Sequence, residues 1–240
     1  MIKKTLLLPL TALLFCATAV SATEEIAPSA FVPFQANYKV FRKGSELGEA
    51  YRKLHVKNDQ YTLETDSKIS WLFLSDNRHE ISTFDVKDNK ISALTYQYKR
   101  TGTGRDRKSF TEFGVKGISS TYKSKDYQFD YQDNVLDPQL YQLAMQQQLI
   151  EGKTEFSFPL IRRGKQIDYR FRVVAEEVIS LPYGKLATLK LERIRETSKR
   201  QTYMWVAPSL NYAMVKLTQI KEGKEQADLQ LSWFKFEKED

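Results

Sequence analysis

The sequence predicts a mainly β protein: a single large curved antiparallel sheet or incomplete β-barrel with one helix on its concave side. Three observations carry this. From Phe34 onward apolar residues alternate with polar ones, Phe34, Ala36, Tyr38 and Val40 against Gln35, Asn37 and Lys39, the period of a half-buried strand. Turn-forming clusters then punctuate the chain at Lys57-Asn58-Asp59, Lys87-Asp88-Asn89-Lys90, Arg162-Arg163-Gly164-Lys165, Pro182-Tyr183-Gly184 and Lys221-Glu222-Gly223-Lys224. Only the stretch from Asp137 to Gly152 is spaced and capped like a helix.

In chain order, the first element is a targeting signal. Basic Lys3 and Lys4 precede an apolar stretch from Leu6 to Val20 and a small-residue site, Val20-Ser21-Ala22, followed by Glu24 and Glu25. This is the pattern of a secretory signal peptide cleaved after Ala22, and the expected location is the periplasm. A lipid-modified signal is the rival because Cys16 is the single cysteine, but Phe15 stands where such signals want a small residue. Cleavage of the 240-residue chain after residue 22 leaves 218 residues without cysteine, so stability has to come from packing and thiolate chemistry is excluded. Losing Lys3 and Lys4 takes the formal charge from +7 to +5. With both signs interspersed, this excess does not make a nucleic-acid footprint. The expected organisation is a signal peptide at 1–22, an N-terminal extension at 23–33 and a single β-rich domain at 34–240, with no transmembrane segment in the mature chain.

The domain reads as a meander of roughly ten to twelve strands. After the first strand, a "RKGSELG" turn leads to a second alternating run through Ala50, Leu54 and Val56. The helix follows Asp137, a good N-cap, with Pro138 at the first helical position, Leu140, Leu143, Ala144 and Ile150 near one face, and Gly152 closing the C-terminus. The hairpin at "LPYGKL" fits a three-residue loop that pairs Leu181 with Lys185. Propagated, that register sets Arg170 opposite Glu196, Glu176 opposite Lys190, Ile179 opposite Ala187, Val173 opposite Arg193 and Phe171 opposite Arg195. One face then ends in Tyr169, Phe171, Arg193 and Arg195. Finally, in "QTYMWVAPSLNYAMVKL" (residues 201–217) Thr202 to Val206 form a strand, residues 207–211 turn it, and Tyr212 to Ile220 return it, with Tyr203 and Trp205 facing the interior.

No catalytic signature appears. His55 and His79 are the only histidines and no HExxH or GxSxG motif is present, so neither a metal, a cofactor nor an enzymatic activity is expected. Glu176 and Glu177 are adjacent in a strand and point to opposite faces, which rules them out as a paired-carboxylate site. "KRTGTGRDRKS" (99–109) lacks phosphate-loop spacing and reads as a basic hairpin tip; the alternative is a docking patch for an anionic membrane surface, using Arg100, Arg105, Arg107 and Lys108. "ISWLFL" (69–74) is the densest apolar stretch of the mature chain. Its expected place is the core; as the lip of an apolar cavity instead, Trp71, Leu72 and Phe73 would meet a ligand.

Four segments, "LGEAYRKLHV" (47–56), "YQYKRTGTGRDR" (96–107), "YRFRVVAEEVISLPYGKLATLKLERIRE" (169–196) and "MWVAPSLNYAMVKL" (204–217), resemble the bacterial envelope family called domain of unknown function 3108, DUF3108. The resemblance spans nearly the whole mature chain and implies no catalytic residues. More distantly, the meander ending in "WVAP" is similar to exported lipoprotein carriers, whose curled sheet and helical plug enclose lipid chains; that likeness is one of architecture.

Two functional classes follow. One is a carrier of a hydrophobic or lipid ligand held by Trp71, Leu72, Phe73, Tyr169, Phe171, Arg193 and Arg195; the other is a non-catalytic scaffold for envelope proteins, its core filled by its own side chains. An apolar interior above roughly 300 Å³ favours the carrier. The two arginines require an explanation in either case, because a buried guanidinium has to reach solvent, stack on an aromatic ring, pair with a carboxylate or meet an anionic ligand.

Overall fold

A computed structural model describes residues 28–237. The expected signal peptide, with Cys16, lies outside the described residues. The chain forms strands β1 (Phe34–Arg42), β2 (Ser45–Lys57), β3 (Gln60–Trp71), β4 (Leu74–Lys87), β5 (Lys90–Gly102), β6 (Arg107–Gly114), β7 (Gly117–Tyr122) and β8 (Lys125–Phe129). Helix α1 (Leu140–Ile150) follows, then β9 (Glu155–Ile161), β10 (Gln166–Leu181), β11 (Gly184–Ile194), β12 (Arg200–Ala207), β13 (Ala213–Lys221) and β14 (Lys224–Phe236). All fourteen strands make one antiparallel sheet in the order β8-β7-β6-β5-β4-β3-β2-β1-β14-β13-β12-β11-β10-β9. The first and last strands therefore meet in the middle of the sheet, where Phe34 faces Phe236 and the Glu237 N–H donates to the Pro33 carbonyl at 2.8 Å.

The strands exceed the ten to twelve expected because three tight turns carry no strong turn formers: Leu72-Phe73, Val115-Lys116 and Lys123-Ser124. Elsewhere the chemistry is ordinary, with Asn58-Asp59 and Asp88-Asn89 taking the left-handed backbone that two-residue hairpins need.

The sheet curls around α1. Leu140, Tyr141, Leu143, Met145, Gln146, Gln147 and Leu149 are buried, so the helix is a plug with nearly all sides covered rather than a lid with one apolar face. Its polar residues find partners across the barrel: Gln139 Nε2 donates to Ser82 Oγ at 3.0 Å, Gln146 Nε2 to the Asn211 carbonyl at 2.7 Å, and Gln147 Oε1 accepts from Ala30 N–H at 3.2 Å. Asp137 works as a cap, its Oδ1 accepting from the N–H groups of Gln139 and Leu140 at 2.7 and 2.9 Å. Gly152 closes the other end at φ +83. Before β1, Ala30 and Phe31 are buried in the same core, Phe31 edge-on to Tyr61.

Edge strands β8 and β9 do not pair. The segment before the helix covers the seam: Leu136 N–H donates to Pro159 and its carbonyl accepts from Ile161, at 2.9 and 3.0 Å. Ile118, Val135 and Ile161 form a small second core there, with Phe113 and Phe129 against it. The Tyr127 ring lies on Gly164, where an added Cβ would sit 2.4 Å from it.

The β10–β11 register corrects the expected one. The turn is Pro182-Tyr183, pairing Leu181 with Gly184, so Ile179 meets Leu186 rather than Ala187. A bulge at Val174 shifts the ladder once more: Val173 meets Leu191, Phe171 meets Arg193, and Arg170 meets Ile194 instead of Glu196. Lys190 faces Ala175, and its ammonium reaches Glu177, not Glu176, at 3.0 Å. In the next hairpin Met204 lies between Leu191 and Leu217 in the core. Trp205 therefore points to the other face, contrary to expectation, covered by Lys190 and Lys216 and donating from Nε1 to Glu177 at 3.0 Å.

Candidate functional site

The ends of β4, β5, β10, β11 and β12 leave a cleft of about 510 Å³ beside the first turn of α1. Aromatic residues build its floor. Tyr141 of the helix stacks on Phe171 at 5.6 Å between centroids and meets Tyr169 edge-on at 5.2 Å. The guanidinium carbon of Arg193 lies 3.2 Å from the Tyr169 ring centroid, a stacked cation–π pair. Arg195 donates from Nη2 to Thr202 Oγ1 at 3.2 Å. The Nε groups of Arg193 and Arg195 are both buried without a hydrogen-bond partner. Of the fates open to the two arginines, stacking accounts for Arg193 and one hydroxyl contact for Arg195. Neither forms an ion pair among the described residues.

Around them stand Arg78, Arg162, Arg163 and Arg200, so six arginines line the cleft against a single carboxylate, Glu80. Glu80 is a poor counter-ion. Burial pushes its pKa up, and its Oε2 accepts from the Tyr96 hydroxyl at 2.6 Å. Arg78 is already paired, with Nε and Nη2 on the two Asp76 oxygens at 2.9 and 3.0 Å. Desolvation, with Arg193 and Arg200 adding repulsion, holds the Arg195 pKa below the usual arginine value. The cleft is a concentrated positive field backed by ring faces.

Glu80, Pro138, Gln142 and Leu217 also border a recess of about 130 Å³ lined by Tyr38, Ala50, Met214 and Leu229. Its buried cation is Arg52, 6 % exposed, whose Nη1 donates to Gln142 Oε1 while Nε and Nη2 have no partner among the described residues. Burial lowers the Arg52 pKa, with Tyr38, Tyr141, Glu80 and Asp137 opposing the shift. Asp137 lies nearby with its pKa pushed up by burial to about 7, backbone donation from Leu140 and Gln139 working the other way.

The residues singled out in the sequence thus divide. Tyr169, Phe171, Arg193 and Arg195 come together in the cleft. Trp71, Leu72 and Phe73 do not join them: instead of entering the core they form the exposed β3–β4 turn, Leu72 at 81 % and Phe73 at 96 % exposure. Arg100, Arg105, Arg107 and Lys108 flank the β5–β6 turn beside it, Arg100 reaching Asp76 at 3.0 Å. Sequence reasoning missed Arg52, Arg78 and Glu80, whose inward aim in a strand has no sequence signal, and read Arg162-Arg163 only as a turn. Among the described residues, Glu64, Asp66 and His79 are grouped closely enough to hold a cation. They are partly exposed, and His79 Nδ1 already lies 2.8 Å from Asp66 across the β3–β4 ladder, an arrangement a cross-strand pair explains.

A sheet curled round a buried helix, with a side cleft, defines a β-barrel-like protein. The same fold occurs in the crystal structure of a beta-barrel-like protein of domain of unknown function DUF1849 from Brucella abortus, at TM-score 0.61 and 8 % identity over 86 % of this chain and 98 % of that one. The chain belongs to the DUF3108 family, described as a protein of unknown function, which matches residues 34–230. Comparison with curated proteins gives no match.

Proposed function

We propose that this protein is an exported, periplasmic, non-catalytic binding protein whose cleft takes the anionic group of an amphipathic ligand. The observation that carries this is the excess of six arginines over one carboxylate, Glu80, around about 510 Å³ of aromatic-floored space. Guanidinium groups recognise phosphate and carboxylate through paired N–H donors, and Arg193 and Arg195 line the cleft without a carboxylate partner among the described residues. The adjoining recess accepts a short apolar segment. Around α1 the main core is packed with its own side chains, which favours an anionic head held in the cleft with the tail largely outside. Neither histidine lines the cleft, and its one carboxylate, Glu80, is engaged by the Tyr96 hydroxyl, which supports binding over catalysis. Export rests on the signal-like residues 1–22.

The test is native mass spectrometry of protein purified from the periplasm, followed by calorimetric titration with lysophosphatidic acid. Losing a charge-assisted hydrogen bond of about 1.5–3 kcal/mol lowers affinity at least tenfold for Arg193→Ala and for Arg195→Ala. A protein that co-purifies with nothing and shows equal, negligible heat in wild type and variants is an envelope scaffold instead, a reading that the helix-filled core favours.

A further inference from the structure

The strand order places the turns unequally. Every neighbouring pair is antiparallel, so the seven turns that follow odd-numbered strands gather at one end of the barrel. These turns, at 43–44, 72–73, 103–106, 123–124, 162–165, 195–199 and 222–223, contain eight basic residues and three acidic ones. The tight turns at the opposite end, at 58–59, 88–89, 115–116, 182–183 and 208–212, contain one basic and two acidic residues. The charge excess of the molecule is thus concentrated at a single rim.

From that rim projects its one large apolar feature. Trp71, Leu72, Phe73 and Leu74 are 47, 81, 96 and 53 % exposed, four consecutive apolar side chains at a two-residue turn. Leu72 has left-handed backbone, φ +53, which disfavours a branched, bulky residue and which glycine or asparagine adopts at lower cost. Neither burial nor turn geometry therefore explains leucine here. The turn is also tied to the basic loop. Gly102 approaches Ser75 so closely that a Cβ would lie 2.2 Å from the Ser75 carbonyl. Thr103 Oγ1 accepts from Ser75 N–H at 2.8 Å and donates to the Phe73 carbonyl at 3.3 Å. Arg42 lies over the Trp71 ring at 5.3 Å, and Lys43, Arg105 and Lys108 are exposed nearby. The apolar tip is thus fastened to the loop that carries Arg105 and lies beside Arg42.

We propose that this end docks on an anionic lipid bilayer, with Leu72 and Phe73 inserting into the headgroup–acyl boundary and Arg42, Lys43, Arg105 and Lys108 resting on lipid phosphates. Two exposed apolar side chains supply too little area for stable binding alone, and the basic rim supplies the second, electrostatic half that peripheral anchoring requires. The charge sign selects anionic over zwitterionic lipid. This docking does not depend on the cleft being occupied.

The test is co-flotation with phosphatidylcholine vesicles, with and without phosphatidylglycerol, together with quenching of Trp71 by brominated lipid. Wild-type protein floats with the anionic vesicles, is quenched, and is released by raised salt; Trp71→Phe removes the quenching. Leu72→Ser/Phe73→Ser alters only exposed side chains, keeps the wild-type thermal melt and weakens flotation at least tenfold. Arg105→Ala and Lys108→Ala each weaken it roughly fivefold. Arg193→Ala, a cleft variant, floats like wild type, so failure of the cleft reading leaves this one standing. Absence of wild-type binding to anionic vesicles, or undiminished binding by the Leu72→Ser/Phe73→Ser variant, overturns the proposal; the first result leaves the tip as a protein contact.

Discussion

Single residues set the pH response of this fold. Asp137 caps α1 from a fully buried position, and its pKa is raised from the ordinary 3.8 to about 7. The folded protein therefore holds a proton there that the unfolded chain releases near pH 4. The resulting stabilisation is present in full below about pH 4 and is lost as pH rises through about 7, a change of up to about 4 kcal/mol. Burial also raises the Glu80 pKa, which adds to the same slope, while the nearby Arg52 guanidinium opposes both. Thermal melts between pH 5 and pH 8 should show stability falling with pH, and Asp137→Asn, which keeps a carbonyl oxygen for the cap, should flatten the slope. An equal slope in the variant would place the titrating group elsewhere.

Among the elements, the helix carries the most weight. Leu143 is fully buried in the main core, so Leu143→Ala leaves a cavity costing about 3 kcal/mol and lowers Tm by roughly 6–12 °C in a differential scanning experiment. Its position was legible because Asp137, Pro138 and Gly152 are local signals. The strands were legible for the same reason, through alternation. What local pattern does not contain is the partner. The Val174 bulge exists only in the pairing with β11, and the Pro182-Tyr183 turn is one residue shorter than Gly184 implied. Each error alone inverts the face of the opposing strand; together they amount to two residues and restore it, so Arg193 was assigned the right face against the wrong neighbour. The cleft was half legible in the same way. Tyr169 and Phe171 follow the apolar period, whereas Arg78 and Glu80 break the rule that charged residues point outward. "ISWLFL" failed because composition suggested core, and a leucine in a left-handed turn is not what turn chemistry anticipates.

At the scale of the whole molecule, the sheet is a ribbon bent until its edges nearly meet, held there by Leu136 and the Ile118, Val135 and Ile161 contacts rather than by a ladder between β8 and β9. The cleft opens at the basic end, since Arg78 lies only four residues from Leu74, and Asp76 joins it to Arg100. β1 begins and β14 finishes at the opposite end. That arrangement has a kinetic consequence. Twelve of the thirteen strand pairings join chain neighbours across a turn, and one, β1 with β14, joins residues about 200 positions apart. The search for that single partner is the entropically expensive step of folding. Joining Glu237 to Pro28 by a linker, which keeps Ala30 and Phe31 in the core, and opening the chain at residues 131–134 converts the same structure into a meander of thirteen consecutive strand pairings, with α1 leading into β9. Stopped-flow refolding of this permutant should be severalfold faster than that of the natural order, with unfolding little changed; equal refolding rates would mean that the two halves of the ribbon find each other before their hairpins are complete.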